Sequence, residues 1–559
     1  MARSLFSGER ADNAVPVAYL VLAIGLVAVL LPTALRPPTP QTPQTAQLSP
    51  DAPPDNKTEG LISSLNRASS GTAGAGSAPG SSLGDTGPGS AAGGPTTTSA
   101  AHPTVSCAHG FGNPPRQTES PYSALCVPPF HGDNGGATYK NVTGSQIKVG
   151  FWHVLGMPAE RGPVPTSPQS GESAQLRTFR VLQQYWNSRY ELYGRVLQLD
   201  AARDDPPDGP SARNAADKQD VQEHDFAVVH LSDDFCDEFS RRALVCYDGT
   251  ATHKPVMESH APGWWTLQMS HEQNEAMTGE YACRKLVGRN ADFAGPNIQH
   301  KPRLIGVIVQ STATTGFRTS AGIANQIKAQ CGYDVAAKID LPDDDNGQAQ
   351  TTAILKMEQA NVTTIIMWSD VVPITVEMEN ADSNAYYPEW VMLNSNGADF
   401  NGSARLFPQG QASHMFGMSG WELPRPFSDT DCYKAYKTVD PANTPDQLAC
   451  TLIYPSLEQV LNGISLAGPH LTPKTFEQGM FKYGYPKPQH VYEISGGYAP
   501  GDRSWVDTYC EMWWDTKAPD PQTGNVGAYR YTNGGQRYAL GQIPRELKVF
   551  DPSDITGTQ

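Results

Sequence analysis

The chain has 559 residues, 41 Lys and Arg against 57 Asp and Glu, and a formal net charge of -16 at pH 7. With no Lys/Arg cluster to form an electrostatic footprint, that balance speaks against nucleic-acid binding. The length is more than one core-bearing unit needs, so two or more are expected.

The run from Ala14 to Leu35 (AVPVAYLVLAIGLVAVLLPTAL) contains no Asp, Glu, Lys, Arg or His. About 20 such residues suffice to cross a hydrocarbon core as a helix. The run is longer than the roughly 7 to 15 apolar residues of a signal peptide. It ends in Leu31, Pro32, Thr33 and Ala34, a poor small-x-small cleavage site. An uncleaved transmembrane anchor is favoured over a signal sequence. Arg3 and Arg10 precede the run and Arg36 follows it, which leaves residues 1–13 as a cytoplasmic tail. The first cysteine is Cys107, so lipid attachment is not indicated and anchoring falls to the helix. The expected location is the cell membrane, single-pass, with the globular domain on the extracellular side.

Residues 36–104 include PPTPQTPQTAQ and GTAGAGSAPGSSLGDTGPGSAAGGPTTTSAA, with almost nothing apolar to bury. Such a segment does not offset its ordering entropy, so a disordered Pro/Gly/Ser/Thr-rich linker is expected. As a flexible coil it reaches about 45 to 50 Å. A sugar-decorated or wall-spanning stalk would have the same composition.

Residues 105–145 read as a disulfide-containing lead-in. Nine cysteines suit an oxidising compartment and leave at least one unpaired. Cys107 with Cys126, Cys236 with Cys246, and Cys432 with Cys450 are near neighbours in loop-like sequence and are the candidate disulfides. No CxxC pair is present, so no metal site is expected.

From Gln146 the chain alternates strand and helix. QIKVGFWH (Gln146 to His153) is a strand, and Ala174 to Tyr190 has helical spacing of Leu176, Phe179, Leu182 and Trp186. RVLQLD (Arg195 to Asp200) is a strand, Ala212 to Glu223 a helix and FAVVHL (Phe226 to Leu231) a strand. The pattern restarts with LIGVIVQ (Leu304 to Gln310), a helix from Thr319 to Cys331, and a strand from Val335 to Asp340. A helix from Gln348 to Ala360, TTIIMW (Thr363 to Trp368), a helix from Val372 to Asn380 and a strand from Trp390 to Asn394 follow. Short apolar strands alternating with helices imply parallel sheets covered on both faces. Two such lobes are expected to bind a ligand between them, outside the carboxyl ends of their strands. The end of the chain, VDTYCEMWWD and GAYRYTNGGQRYAL, reads as paired strands.

The series IKVGFW, GRVLQLDAARDD, NAADKQDVQEHDFAVV, KPVMESHAPGWW and the long stretch from Leu304 to Asp370 resembles, in order, the type I periplasmic binding proteins. The likeness is greatest to the branched-chain amino acid receptors of ABC transporters and covers roughly Gln146 to Leu540. It implies an α/β fold of two doubly wound parallel-sheet lobes with a hinge, preceded here by the transmembrane helix and linker. Laid over the family's three crossings, residues 146–300 and 422–488 form lobe one. Residues 301–421 and 489–545 form lobe two, and 546–559 a tail.

The resemblance also implies ligand contacts in the cleft. Trp152 and His153 end the first strand, Ser232 and Asp233 follow the third, and Ser259 and His260 are taken to follow the fourth. Phe317, Asp370, Asn394 and Asn396 come from lobe two. Ser232 and Ser259 would hold a ligand carboxylate, Phe317 cover the ligand and Asp370 pair with an ammonium; a helix-capping role is the plainer reading of Asp370. The chain departs from the family at His230, Ser232, Asp233 and Asp234, where a Gly-rich turn is usual. It departs again at HGDNGG (His131 to Gly136) and at SHAPGWW, where Trp264 and Trp265 read first as lobe packing.

No Walker-type phosphate loop or HExxH occurs, and the one GxSxG, Gly80 to Gly84, falls in the low-complexity linker, so no catalytic residue and no cofactor is assigned and the chain is read as a non-enzyme. The leading expectation is a membrane-anchored solute-binding protein that captures a small polar or amino-acid-like ligand, with a membrane permease complex as partner. A sensory or interaction ectodomain of the same fold is the alternative, and a hydrolase a remoter one.

Overall fold

The computed structural model describes residues 120–124, 126–152, 162–202, 222–230, 233–310, 319–342, 347–393, 397–484 and 490–558. All of them belong to the unit Ala100–Gln559. The apolar run Ala14–Leu35, the linker at 36–104 and residues 212–221 of the helix expected over Ala212 to Glu223 lie outside the described residues. Among the described residues no helix is long and apolar enough to cross a membrane.

The first part comprises β1 (Gln146–Trp152), β2 (Gly162–Pro163), α1 (Ala174–Arg189), β3 (Val196–Ala202) and β4 (Ala227–His230), then α2 (Asp233–Arg241), β5 (Val245–Asp248), α3 (Lys254–Ser259) and β6 (Trp264–Thr266). The sheet order is β2-β3-β1-β4-β5-β6, and only β2 runs antiparallel. α1 starts where the Ser173 hydroxyl accepts the Leu176 N–H at 3.0 Å, an N-cap that satisfies one of the helix's orphan donors. Its Phe179, Leu182 and Trp186 are buried.

After β6 come α4 (His271–Tyr281), which runs on as a π-helical turn over Ala282–Leu286, and β7 (Ile305–Gln310), α5 (Ser320–Cys331), β8 (Ala337–Leu341), α6 (Gln348–Gln359) and β9 (Thr364–Trp368). α7 (Val371–Ser383), β10 (Glu389–Leu393), α8 (Asn401–Ala404), α9 (Gln409–Ala412) and β11 (Met415–Ser419) follow. Then come α10 (Asp431–Val439), α11 (Tyr454–Ala467), α12 (Pro473–Tyr483), β12 (Thr508–Pro519), β13 (Val526–Tyr531) and β14 (Arg537–Ala539). The second sheet has the order β13-β12-β11-β10-β9-β7-β8, with β14 also on β12. Its β8 to β11 part is parallel and β12, β13 and β14 are antiparallel. Two parallel-sheet lobes are therefore present.

α10 to α12 return to the first sheet: Trp186 stacks on Tyr454 at 5.6 Å, and Phe476 meets Phe226 at 6.3 Å and Trp265 at 6.0 Å. α4 falls within residues 146–300, expected in lobe one, yet it packs on the second sheet. Gln330 of α5 donates to the Ala276 carbonyl at 2.9 Å, and Lys285 pairs with Glu511 of β12 at 2.8 Å with both side chains buried. The packing puts the first crossing at residues 267–270, where Ser270 and Gln273 form a capping box that starts α4.

Cys236–Cys246 and Cys432–Cys450 are disulfides as expected. Cys126 is also disulfide-bonded, while Cys107 lies outside the described residues. Cys283–Cys331, not among the candidates, ties the end of α4 to the end of α5, and Cys510 is buried and free. Residues 546–558, read as a tail, are packed down: Tyr531 donates its N–H to the Ile555 carbonyl at 2.7 Å and Thr558 to the Pro424 carbonyl at 2.9 Å.

Candidate functional site

The carboxyl ends of the two sheets meet along one seam, because the three crossing segments converge there. The first leaves β6 through Gln268. The second leaves β11 through Gly420. The third runs beside β6, where the Trp505 N–H donates to the Thr266 carbonyl at 3.0 Å, and enters β12 at Thr508. A Cβ on Gly420 would lie 2.9 Å from Gln268 Oε1 and 2.9 Å from the Tyr509 ring, so one point touches all three crossings. A side chain there would have to displace the Gln268 side chain and the Tyr509 ring.

His271 marks the same seam one turn further on. Its backbone N–H donates to the Thr252 carbonyl at 3.0 Å, and Nε2 lies 3.0 Å from the Ala251 carbonyl; both carbonyls follow β5. Its ring stands edge-on to Trp368, the last residue of β9, with centroids 5.2 Å apart. Behind it, His253 pairs with Glu272, and Glu272 Oε2 accepts the Lys254 N–H at 2.8 Å. The buried Asp248 organises the loop after β5: Oδ1 accepts from the Thr250 hydroxyl at 2.8 Å and Oδ2 from the Thr252 hydroxyl at 3.0 Å.

Of the residues expected to contact a ligand, Asp370 is at this seam. It is the N-cap residue of α7, without a side-chain capping bond, and its N–H donates to Gln310 Oε1 at 2.8 Å. Trp152 ends β1, in register with Ala202, and Asp233 opens α2; their side chains lie outside the described residues. His153, Ser232, Phe317, Asn394 and Asn396 lie wholly outside them.

Ser259 and His260 require correction. Residues 254–259 are a helix, started by Pro255 in its first turn, and the fourth parallel strand is β5. Ser259 and His260 therefore stand at the amino end of β6, remote from the carboxyl ends. The exposed Ser259 hydroxyl bonds the Val256 carbonyl at 2.8 Å, and His260 Nε2 lies 3.1 Å from Asp237 Oδ1. Trp264 and Trp265 are fully buried; Trp265 packs on Phe481 and Tyr498 under the Arg503 guanidinium, 4.6 Å from its ring.

Thr252, Gln268, His271, Asn274 and Ser369 are seam residues that the sequence reasoning missed. Four-residue β5, VCYD, was the signal available, since whatever follows a buried parallel strand reaches the carboxyl edge. Asn274 and Ser369 are fully buried, with Asn274 Oδ1 and Nδ2 and Ser369 Oγ lacking hydrogen-bond partners. Burial, then repulsion from Glu272, raises the carboxyl pKa of Glu275 on α4 to about 7. Among the described residues no cluster of His, Cys, Asp and Glu could hold a metal ion. Two surface hollows of about 350 and 280 Å³ lie beside β8–α6, where Leu341 and Pro342 at the carboxyl end of β8 line the first, and along residues 553–558.

No protein-family model matches the chain, and no curated protein does. Among solved structures it is similar to an ABC transporter substrate-binding protein from Sphaerobacter thermophilus, at 10% identity and TM-score 0.49, over 72% of this chain and 100% of that one. It is also similar to a solute-binding protein from R. palustris in complex with 4-hydroxybenzoate, at 10% identity and TM-score 0.47, over 71% of this chain and 98% of that one. A third is a branched-chain amino acid transporter substrate-binding protein from Streptococcus pneumoniae in complex with isoleucine, at 16% identity and TM-score 0.45, over 69% and 99%. The solved structures that the chain matches include type I periplasmic binding proteins, branched-chain amino acid and other ABC-transporter substrate-binding proteins, at low identity.

Proposed function

We propose that this chain is an extracytoplasmic solute-binding protein that captures a small polar or amino-acid-like ligand between its two lobes for an ABC-type uptake system. The observation that carries the reading is the convergence of three crossings at Gln268, Gly420 and Tyr509, on the line where the carboxyl ends of both parallel sheets meet. Ligands of open α/β sheets bind outside those ends. Crossing segments gathered at one point let two lobes bend without repacking either core. Ala14–Leu35 supplies the membrane anchor in this reading, with the globule outside and the linker setting its reach.

The test is thermal unfolding of the full chain, in mild detergent, against amino acids, amides and sugars, with small-angle scattering on any solute that stabilises it. A stabilising solute that also contracts the particle is expected. No shift with any member of the library, and no solute co-purifying by mass spectrometry, would falsify the reading.

A further inference from the structure

Ser120, Tyr122 and Ala124 stand well ahead of β1 in the sequence, yet all three are buried. They are fastened to the helices that return to the first sheet. The Ser120 hydroxyl donates to Asp431 Oδ2 on α10 at 3.1 Å. The buried Asn462 carboxamide on α11 accepts the Ala124 N–H at 2.8 Å and donates to the Tyr122 carbonyl at 2.8 Å. The Tyr483 hydroxyl, at the end of α12, donates to the same carbonyl at 3.0 Å. One carboxamide used as both donor and acceptor, with a second donor beside it, fixes the Tyr122 backbone to lobe one.

The Tyr122 side chain reaches the crossings. Its hydroxyl accepts the Ile494 N–H at 3.0 Å, and its ring meets Trp505 edge-on with centroids 5.0 Å apart; both partners belong to the third crossing. Burial, then the neighbouring Glu422 carboxylate of the second crossing, raises the phenol pKa well above its ordinary value. The chain just before Ile494 is seated on lobe two. The Val491 carbonyl accepts the Arg537 N–H at 3.1 Å, and Tyr492 packs against the core of the second sheet. Arg537, buried on β14, holds both crossings from that side. Its guanidinium donates to the carbonyls of Gly420 at 2.8 Å, Trp421 at 2.9 Å and Thr508 at 2.6 Å.

We propose that Tyr122 is a latch on the hinge: a side chain carried by lobe one that holds chain seated on lobe two, and so favours the inter-lobe angle of this structure. Rotation of one lobe against the other displaces Ile494 relative to Asn462 and Tyr483. A hydrogen bond weakens steeply once its length and angle leave a narrow range, so the Tyr122 bond opposes the rotation. The latch goes beyond the solute-binding reading and does not depend on it.

The experiment is native-state hydrogen exchange of the full chain in mild detergent, read at the His271 N–H, which bonds the Thr252 carbonyl across the seam at 3.0 Å. Departures from the present angle break that bond and expose the amide. Tyr122→Phe keeps the ring and removes the hydroxyl, and is expected to speed His271 exchange about fivefold, the weight of one hydrogen bond. Tyr122→Ala also removes the ring contact and is expected to speed it further; should that variant not fold, Tyr122→Phe carries the test. Tyr386→Phe is the control, since it removes a buried hydroxyl that donates to the Val362 carbonyl at 2.7 Å inside lobe two. It should lower the unfolding midpoint and leave His271 exchange unchanged. An unchanged His271 rate in folded Tyr122→Phe overturns the latch, and so does equal acceleration by Tyr122→Phe and Tyr386→Phe. An Ile494 N–H that exchanges as fast as an exposed amide in the unsubstituted chain overturns it without any variant.

Discussion

The imidazole of His271 stands edge-on to the indole of Trp368, centroids 5.2 Å apart and rings at 85°, while its Nε2 lies 3.0 Å from the Ala251 carbonyl. One buried side chain thus joins the loop after β5 of the first sheet to the end of β9 of the second. His271→Ala removes both links and is expected to cost about 2–4 kcal/mol in denaturant unfolding. His271→Phe keeps the ring contact and loses the polar one, so its cost should be smaller, about 1–2 kcal/mol.

Gly420→Ala tests the convergence of the crossings. Its Cβ would enter the space of Gln268 Oε1 and the Tyr509 ring, each 2.9 Å away. Overpacking of this kind costs about 1–3 kcal/mol. Adding Gln268→Ala should recover part of the loss, a non-additivity expected of residues in contact. Simple additivity in a double-mutant cycle would show that the two do not meet.

Stability should fall as pH rises from about 5 to 8. Burial, then repulsion from Asp431, raises the Glu458 carboxyl to about 8. Burial and Glu422 raise Asp431 to about 6, against the opposing charge of Arg425. Both folded-state values exceed the ordinary carboxyl values near 4, so the folded chain holds these protons more tightly than the unfolded one. The stabilisation is present below the unfolded values and is lost as pH climbs through the folded ones, by up to about 1.4 kcal/mol per pH unit for each group. Glu458→Gln should flatten the upper part of the midpoint-versus-pH curve; an unchanged slope would exclude Glu458 as its source.

Glu377 on α7 is fully buried and neither carboxyl oxygen has a hydrogen-bond partner. Desolvation raises its pKa well above the ordinary carboxyl value. Glu377→Met replaces an unpaired polar group with apolar volume beside Ile374 and Met378 and should stabilise the fold by about 1–3 kcal/mol. A lowered unfolding midpoint would mean that Glu377 has a role the packing does not reveal.

The Cys283–Cys331 bridge closes a loop with a sequence separation of 48. Replacing both cysteines by serine should cost about 3–4 kcal/mol. Peptide mapping without reductant should recover the two joined, with Cys510 alkylated only after unfolding.

β7 and β9 of the second sheet were legible because each is an apolar run buried along its whole length. LIGVIVQ and TTIIMW differ from Ile305–Gln310 and Thr364–Trp368 by one residue at the start. β5 was not, since VCYD is too short to stand out, and the ligand loop was sought after α3, at Ser259 and His260, on the wrong edge of the sheet. The Cys283–Cys331 pair escaped a search for near neighbours because its proximity comes from α4 lying on α5.

What the sequence by itself determined is the alternation of strand and helix, and with it two parallel sheets. That information is local: apolar runs, helical spacing and caps act within about ten residues. Where the lobes join was decided only by tertiary structure. Gln268, Gly420 and Tyr509, or His271 and Trp368, are brought together by the return of whole segments across both sheets, and no periodicity records which distant residues will share a buried seam. The unpaired Asn274 is the clearest case, since its chemistry follows from being buried without a partner, which residue type alone does not reveal.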